Sequence, residues 1–167
     1  MKISRPKCYS SHNGILIKAL LSSKGPVCEL GCGLFSTPLL HWLCKEMNRE
    51  LITYENSMEY FPFAKSFQSR LHRIRKIESW DDVDFKKHFG VVLIDHEPSE
   101  RRGPDAIRFK DNADYLVLHD TEPKTHKIYG YDKAFSQFKY RYDWKKGFPN
   151  TSIVSNFYSL DKFDDVL

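Results

Sequence analysis

The pattern of apolar and polar residues along the chain predicts strands and helices in alternation. Short apolar or alternating runs predict five strands, at 26–31, 50–55, 72–77, 90–95 and 114–118. Apolar residues at helical spacing predict the helices around them, at 11–22, 36–48, 57–70 and 103–110. The run from Gly90 to Ile94 is unbroken by any charged residue, which is typical of a central parallel strand covered on both faces.

The pattern changes after the fifth strand. A short helix is predicted at 131–138, and polar and aromatic strands follow at 139–144 and 152–157, with a turn at 146–150 that should pair them as a hairpin. The whole order predicts an α/β fold: a doubly wound, Rossmann-like sheet that is mostly parallel, with a C-terminal antiparallel hairpin at one edge. Because the sequence holds no internal repeat or low-complexity linker, residues 1–167 are expected to form a single domain.

Composition argues against several classes of protein. Hydrophobic residues make up 41% of the chain, but no run approaches the roughly 20 apolar residues of a membrane span. Residues 1–6 have no long apolar stretch after their charges, so we expect no secretory signal, no membrane partner and a cytoplasmic location. The net charge of +4 does not by itself indicate nucleic acid. The cysteines have no Cys-x-x-Cys spacing and are expected to be reduced thiols without a zinc site; they are Cys8, Cys28, Cys32 and Cys44.

The stretch 27–38 carries the most specific signal. A short apolar strand breaks at Gly31 and Gly33, and a helix is predicted to begin at Ser36. A strand, a glycine turn and a helix form the ligand-binding corner of a doubly wound fold. A dinucleotide site would have a third glycine where Ser36 stands, and Glu29 would repel a pyrophosphate, so the turn favours a cationic ligand.

The sequence Glu29-x-Gly31-x-Gly33 resembles the first motif of class I S-adenosylmethionine (SAM)-dependent methyltransferases. The order of strands and helices is similar to that family over nearly the whole chain. The resemblance implies SAM as cofactor, with Glu29 near its methionine amino group and both glycines beneath the methionine part and the ribose. The alternative is that Gly31 and Gly33 only form a tight turn.

Two further positions are candidates for cofactor contacts. Glu55 ends the second strand 22 residues after Gly33, and in nucleotide-binding folds an acid at about that distance accepts hydrogen bonds from the ribose hydroxyls. In the family that the chain resembles, the loop after the third strand contacts adenine, which implies Ser79 and Trp80 together with Asp81 or Asp82. The alternatives are an exposed acid at Glu55, and a helix cap at Asp81 with Trp80 in the core.

The fourth and fifth strands end in Asp95-His96 and His119-Asp120, which are our candidate catalytic residues. These ends resemble those of small-molecule O-methyltransferases such as catechol O-methyltransferase. That resemblance implies Mg²⁺ held by Asp95 and Asp120, although Thr121 stands where the family has asparagine. A metal-free alternative uses Asp95, His96 or His119 as general base, and it is slightly favoured because no residue completes the metal coordination.

The acceptor is therefore predicted to be an oxygen of a small molecule. Asp95-His96-Glu97-Pro98 is a poor match to the Asn/Asp-Pro-Pro-aromatic sequence of enzymes that methylate amino groups of bases. Basic runs near residues 70–76 and 139–146 keep an RNA- or protein-directed methyltransferase as an alternative, and a SAM-binding module without turnover is another. Arg101 and Arg102 follow the fourth strand and could hold an anionic acceptor or lie on a helix surface. The sequence predicts no oligomeric state.

Overall fold

The structure, a computed structural model, describes residues 9–164. Cys8 and residues 1–6, about which the sequence makes predictions, lie outside that range. The described residues form seven strands: Val27–Leu30 (β1), Leu51–Glu55 (β2), His72–Lys76 (β3), Phe89–Ile94 (β4), Ala113–His119 (β5), Tyr140–Trp144 (β6) and Thr151–Ser155 (β7). They also form six α-helices: Asn13–Leu21 (α1), Ser36–Glu46 (α2), Phe61–Lys65 (α3), Arg102–Arg108 (α4), His126–Tyr129 (α5) and Tyr131–Phe135 (α6). Single 3-10 turns lie at Trp80–Asp82, Ser99–Arg101 and Asp161–Phe163.

The seven strands form one mixed sheet in the order β3-β2-β1-β4-β5-β7-β6. The pairs among β1 to β5 are parallel, whereas β7 runs antiparallel to both β5 and β6. The predicted fold class, a mostly parallel doubly wound sheet with a C-terminal antiparallel hairpin, is confirmed. The two hairpin strands do not follow chain order in the sheet, because β7 lies between β5 and the edge strand β6.

The core lies on both faces of this sheet. Val91 and Leu93 of β4 pack on one face with α1 and α2, whereas Val92 and Ile94 pack on the other face with α4 and α6. All residues of β4 are buried, as the unbroken apolar run predicts. Burial on both faces holds the carboxyl ends of the central strands rigidly, and these ends carry the candidate chemistry.

Local chemistry shifts several element boundaries. The helix predicted at 57–70 is reduced to α3, which begins at Phe61 because Pro62 is tolerated only in the first turn of a helix. Helix α5 precedes the helix predicted at 131–138, and Gly130, at φ +71°, separates it from α6. The side chain of Trp144, at the end of β6, is buried in the core.

Two predictions about the chain as a whole bear on the site. Within the described part of the chain the cysteines are free thiols: Cys28 and Cys44 are buried and Cys32 is half-buried. Among residues 9–164, no helix has both the length and the apolar character that crossing a membrane requires.

Candidate active site

A cavity of about 760 Å³ opens at the carboxyl ends of β1, β2, β4 and β5. Because β1 lies between β2 and β4, the direction of strand succession reverses there, and open α/β sheets bind ligands in the crevice at this point. The loops after these strands line the cavity together with residues at the start of α1 and in the β6–β7 turn. Its volume lies within the usual range for small-molecule and cofactor sites.

The glycine turn after β1 forms one wall of the cavity. Gly31 has φ +82°, and a Cβ there would lie 2.6 Å from the Cα of His96 and 2.9 Å from the carbonyl oxygen of Asp95. A Cβ on Gly33 would instead lie 2.9 Å from the hydroxyl of Ser36, a side chain. Gly31 therefore lets the ends of β1 and β4 approach each other, whereas Gly33 lines the cavity without a side chain.

We expect Gly31→Ala to destabilise the protein more than Gly25→Ala. Gly25 also has a positive φ, +79°, but a Cβ there would meet no atom within 4 Å. The Gly25 variant should therefore lose only the roughly 1–2 kcal/mol of left-handed backbone strain, and the Gly31 variant about 1–3 kcal/mol more because its Cβ meets the backbone of His96. Urea denaturation measures both losses, and equal losses would contradict a steric role for Gly31.

Glu55 lies at the end of β2 on the cavity wall. Its Oε2 accepts a hydrogen bond of 2.8 Å from the Cys32 amide in the glycine turn, and its Oε1 accepts one of 2.6 Å from the Ser57 amide. The side chain is fixed in position by these two amides. Each carboxylate oxygen keeps acceptor capacity for a further donor, because an ionised carboxylate offers about four lone-pair sites.

Glu29 lies beneath the glycine turn, not in the cavity wall. It is fully buried, and its carboxylate accepts hydrogen bonds from the hydroxyls of Thr37 at 3.0 Å and Thr53 at 2.7 Å. The same Thr37 oxygen accepts a hydrogen bond of 3.0 Å from the Gly33 amide. Glu29 therefore positions the glycine turn through Thr37. Burial raises the pKa of Glu29 to about 7, although the hydroxyl donors oppose the shift.

This raised pKa predicts a pH-dependent stability. The folded protein keeps a proton on Glu29 up to about pH 7, whereas the unfolded chain releases it near its ordinary pKa of 4.5. The free energy of unfolding should therefore fall as pH rises through this window, by up to about 1.4 kcal/mol per pH unit, and then level off. Urea denaturation would measure the free energy of unfolding of the wild type and of Glu29→Gln across this pH window. The difference between the two free energies should become smaller toward low pH. Parallel curves would contradict the assignment.

Ser79 and Trp80 do not line the cavity. The Ser79 hydroxyl caps the following 3-10 turn by accepting from the Asp81 amide, and Asp82 completes a capping box. Trp80 is buried, donates its Nε1 hydrogen to the Glu97 carbonyl at 2.8 Å, and packs against the His96 ring at 4.2 Å between centroids. Its place in the core agrees with the alternative interpretation, with Ser79 rather than Asp81 as the cap.

Arg102 joins the ends of β4 and β5. Its Nη1 lies 3.0 Å from Oδ1 of Asp95 and 2.9 Å from Oδ2 of Asp120, and its Nη2 lies 3.2 Å from Oε1 of Glu97. The side chain is only 4% exposed. The sequence suggested two roles for Arg102, and neither fits. Arg102 is not a free anion-binding group, and it does not lie on a helix surface. It neutralises part of a cluster of carboxylates.

These contacts test the magnesium site that the resemblance implies. The cation between Asp95 and Asp120 is the Arg102 guanidinium, which already contacts both carboxylates. Thr121, at the third ligand position, is buried, and its hydroxyl accepts a hydrogen bond of 2.8 Å from Ser152. The residues therefore do not fit Mg²⁺ held by Asp95 and Asp120.

His119 lies on the other side of Asp95. Its Nδ1 is 3.2 Å from Oδ1 of Asp95, and its Nε2 is 3.1 Å from the hydroxyl of Ser11. Burial opposes the protonated ring, but the Asp95 carboxylate outweighs it and raises the pKa of His119. Burial likewise opposes ionisation of Asp95, yet His119 and Arg102 hold the pKa of its carboxyl below the ordinary value. Asp95 and His119 therefore act as a coupled pair at the cavity wall.

His12, just before α1, completes this corner. Its ring makes an edge contact with the His119 ring at 4.7 Å between centroids, and it is 98% buried although it borders the cavity. Neither of its ring nitrogens has a hydrogen-bond partner within the described part of the chain. Burial and the neighbouring His119 lower the pKa of His12 to about 4, so the ring is neutral at physiological pH.

His96 borders the cavity, but its ring is turned into the protein. The Nε2 atom lies 3.0 Å from Oδ2 of Asp105 in α4, and both side chains are fully buried. Of the four candidate catalytic residues, the structure thus brings together Asp95, His119 and Asp120, while the His96 ring packs between β4 and α4.

Three groups of cavity residues escaped the sequence reasoning. His12 belongs to no motif, and only the fold brings it to Asp95. Arg102 was predicted either to hold an anionic acceptor or to lie on a helix surface, because the sequence of two adjacent arginines does not reveal which one is buried. The residues just after Glu55 line the side of the cavity on which Ser79 and Trp80 were expected; they are Asn56, Ser57 and Tyr60. The sequence signal that could have identified these three residues is their position shortly after Glu55, the candidate contact of the ribose.

Comparisons of the sequence with protein-family models and with curated proteins find no match. Solved structures do match. An O-methyltransferase from Bacillus cereus in complex with S-adenosylhomocysteine (SAH) superimposes with a TM-score of 0.64 at 12% identity, over 90% of this chain and 84% of that one. A methyltransferase from Pyrococcus furiosus gives 0.55 at 16% identity, over 93% and 88%.

The catalytic domain of human METTL16, in complex with a MAT2A 3′UTR hairpin, superimposes with a TM-score of 0.63 at 10% identity, over 96% of this chain and 72% of that one. Identities this low establish the fold and not the acceptor. The strand order, the glycine turn after β1 and the cavity at the switch point agree with these similarities. The chain therefore has the class I SAM-dependent methyltransferase fold that its first motif predicts.

Proposed function

We propose that this protein transfers the methyl group of SAM to an oxygen of a small-molecule acceptor. The observation that carries the proposal is the convergence of two groups on one cavity. The glycine turn and Glu55 lie on one side, and the carboxylates of Asp95 and Asp120 lie with His119 on the other. A candidate cofactor site and a candidate site for proton removal thus share one cavity.

The first side suits SAM. Glu55 is held rigidly and would accept hydrogen bonds from the ribose hydroxyls, and the absent Cβ of Gly33 leaves room for the chain of the cofactor. Tyr60 presents an aromatic ring at the same wall, which makes it a better candidate than the buried Trp80 for contact with adenine. When bound, SAM supplies a methyl group on a positively charged sulfur, and SAH is released once the acceptor oxygen has taken that group.

The second side suits an acceptor hydroxyl. The protein has to hold the acceptor oxygen in line with the methyl group and remove the hydroxyl proton, and no nucleophilic serine or cysteine is needed. Asp95 directly follows a rigid strand, and the 3.0 Å contact with Arg102 restricts its position. Proton removal is therefore assigned to the centre formed by Asp95 and His119, with Asp120 beside it.

The charge of the cavity supports a small acceptor over a polyanion. Two basic residues, Arg102 and Lys124, face five carboxylates in its wall: Glu55, Asp95, Glu97, Asp120 and Glu122. This excess of negative charge favours the cationic cofactor and disfavours the phosphates of RNA. The basic residues of β3, such as Arg73 and Arg75, are exposed on the far edge of the sheet. RNA- or protein-directed methylation therefore remains the second candidate.

Transfer of a labelled methyl group tests this function. Methyl-labelled SAM would be incubated with the protein and a cell extract, and the label would be measured separately in the small-molecule, RNA and protein fractions. We expect label in small molecules, with the new bond located on oxygen by mass spectrometry. Label confined to RNA or protein would support the second candidate. SAM binding in calorimetry with no transfer to any fraction would instead indicate a binding module.

A further inference from the structure

We propose that His12, Asp95 and His119 together form a binding site for one divalent transition-metal ion, of the kind represented by Zn²⁺, Co²⁺ or Mn²⁺. One ligand atom from each residue lies within 4.8 Å of the others, and all three border the cavity. Two imidazoles and one carboxylate are a donor set typical of such ions at sites that keep an open position. The cysteine pattern had argued against a zinc site, but these ligands are two histidines and an aspartate.

The geometry requires only small movements. An ion at the centre of an equilateral triangle with 4.8 Å sides would lie about 2.8 Å from each ligand atom. Side-chain movements of less than about 1 Å would shorten the distance from the ion to each ligand atom to the roughly 2.0–2.2 Å of metal bonds to histidine and carboxylate. One pair of ligand atoms, Nδ1 of His119 and Oδ1 of Asp95, is already 3.2 Å apart.

His12 provides the observation that points to a ligand. Its imidazole is 98% buried at the cavity wall, and both ring nitrogens lack a hydrogen-bond partner among the described residues. Buried polar groups in native proteins are nearly always paired, so an unpaired imidazole needs an explanation. A metal ion would provide a partner for one of the two ring nitrogens.

The surroundings also suit a metal. Ser11 lies 3.1 Å from Nε2 of His119 and would accept its hydrogen, which leaves the Nδ1 lone pair directed at Asp95. Such outer partners of metal ligands set the tautomer of the ring. Arg102 contacts three carboxylates, those of Asp95, Glu97 and Asp120, so the cluster retains negative charge that a dication would balance.

The role of the ion rests on the proposed function. With the ion bound, Asp95 and His119 would act as its ligands, in place of the direct proton removal assigned to them in the metal-free centre. The ion would bind the acceptor hydroxyl and lower the pKa of that group, so that the proton leaves to water as the oxygen takes the methyl group. Binding of the ion itself does not depend on methyl transfer, and it can be measured with the metal alone.

The test uses the full chain without an affinity tag, freed of metal by a chelator. Titration with Co²⁺, followed by visible d–d absorption, should give about one equivalent bound and displaced by Zn²⁺. His12→Gln and His119→Gln should each weaken binding more than about 100-fold, and Ser11→Ala about 10- to 100-fold. The matched control is His88→Gln, since His88 is half exposed and pairs with Asp114 at the opposite end of β5; it should bind Co²⁺ as the wild type does.

Anomalous diffraction from wild-type crystals soaked in Co²⁺ locates the ion without any variant that could misfold. A peak between His12, Asp95 and His119 is expected. Absence of Co²⁺ and Mn²⁺ binding, a peak elsewhere, or variants that bind like the wild type would overturn the proposal. Calorimetry with SAM on metal-free protein separates the two proposals. Binding of Co²⁺ at this site without binding of SAM would support the metal site and contradict the proposed function. SAM-dependent methyl transfer without metal binding would support the proposed function and contradict the metal site.

Discussion

Asp95→Asn should lose about 10²- to 10⁴-fold in turnover on the acceptor identified by labelling, which is the usual contribution of a positioned proton acceptor. Asparagine keeps the shape of the side chain and can still accept a hydrogen bond from Arg102, but it removes the negative charge beside His119. The glycine turn and Glu55 lie across the cavity, so the affinity for SAM should change by no more than a few-fold. Turnover would be followed by transfer of labelled methyl groups, and affinity by calorimetry.

Asp114→Asn is the matched control for this experiment. Asp114 lies at the beginning of β5, at the opposite end of the sheet from the cavity, where its carboxylate pairs with His88 at 2.9 Å. The same chemical change there should leave turnover unaltered. Full activity of the double variant Asp95→Asn, Asp120→Asn would contradict the assignment and move the chemistry to another part of the cavity.

Glu55→Ala should weaken binding of both SAM and SAH by roughly 1.5–3 kcal/mol, the usual value of hydrogen bonds to a charged group. The structure adds a second reason for the loss. The carboxylate also holds the amides of Cys32 and Ser57, so its removal loosens the turn on which the cofactor would lie. Glu55→Gln separates the two effects, because one oxygen can still accept from an amide while the charge is lost.

Calorimetry with SAH measures both Glu55 variants, and Glu50→Gln serves as the control. Glu50 lies just before the other end of the same strand, where it pairs with Lys87 and Arg73 on the surface. That variant should bind SAH as the wild type does. A wild-type protein that gives no heat with SAM or SAH, but binds NAD or ATP, would refute the cofactor assignment.

The described sheet and its central strands were predictable because they depend on local patterns. An apolar run such as that of β4 can be stable only where both faces are covered, and alternating helices then impose a parallel sheet. The boundaries were less predictable. Pro62 shortens a predicted helix, and Gly130 separates an unpredicted helix, α5, from α6, because single backbone restrictions outweigh average periodicity over a few residues.

The side-chain positions of Glu29 and Trp80 could not be predicted from the sequence. A motif specifies which residue follows a strand, but not which face of the strand it occupies once its neighbours have packed. Glu29 points to the face buried under α2, and Trp80 fills the space beside His96. Neither orientation can be read from spacing, because each depends on partners more than seven residues away.

The sequence by itself determined the class of fold, the glycine turn after β1, and the delivery of acids to one end of the sheet. Only the tertiary structure decided how those groups are paired. Arg102, rather than a magnesium ion, joins Asp95 to Asp120, and His12 reaches Asp95 from 83 positions earlier in the chain. The physical reason is that strand and turn signals act over a few neighbouring residues, whereas the charge balance of a buried cluster depends on every group that folding brings within a few ångströms.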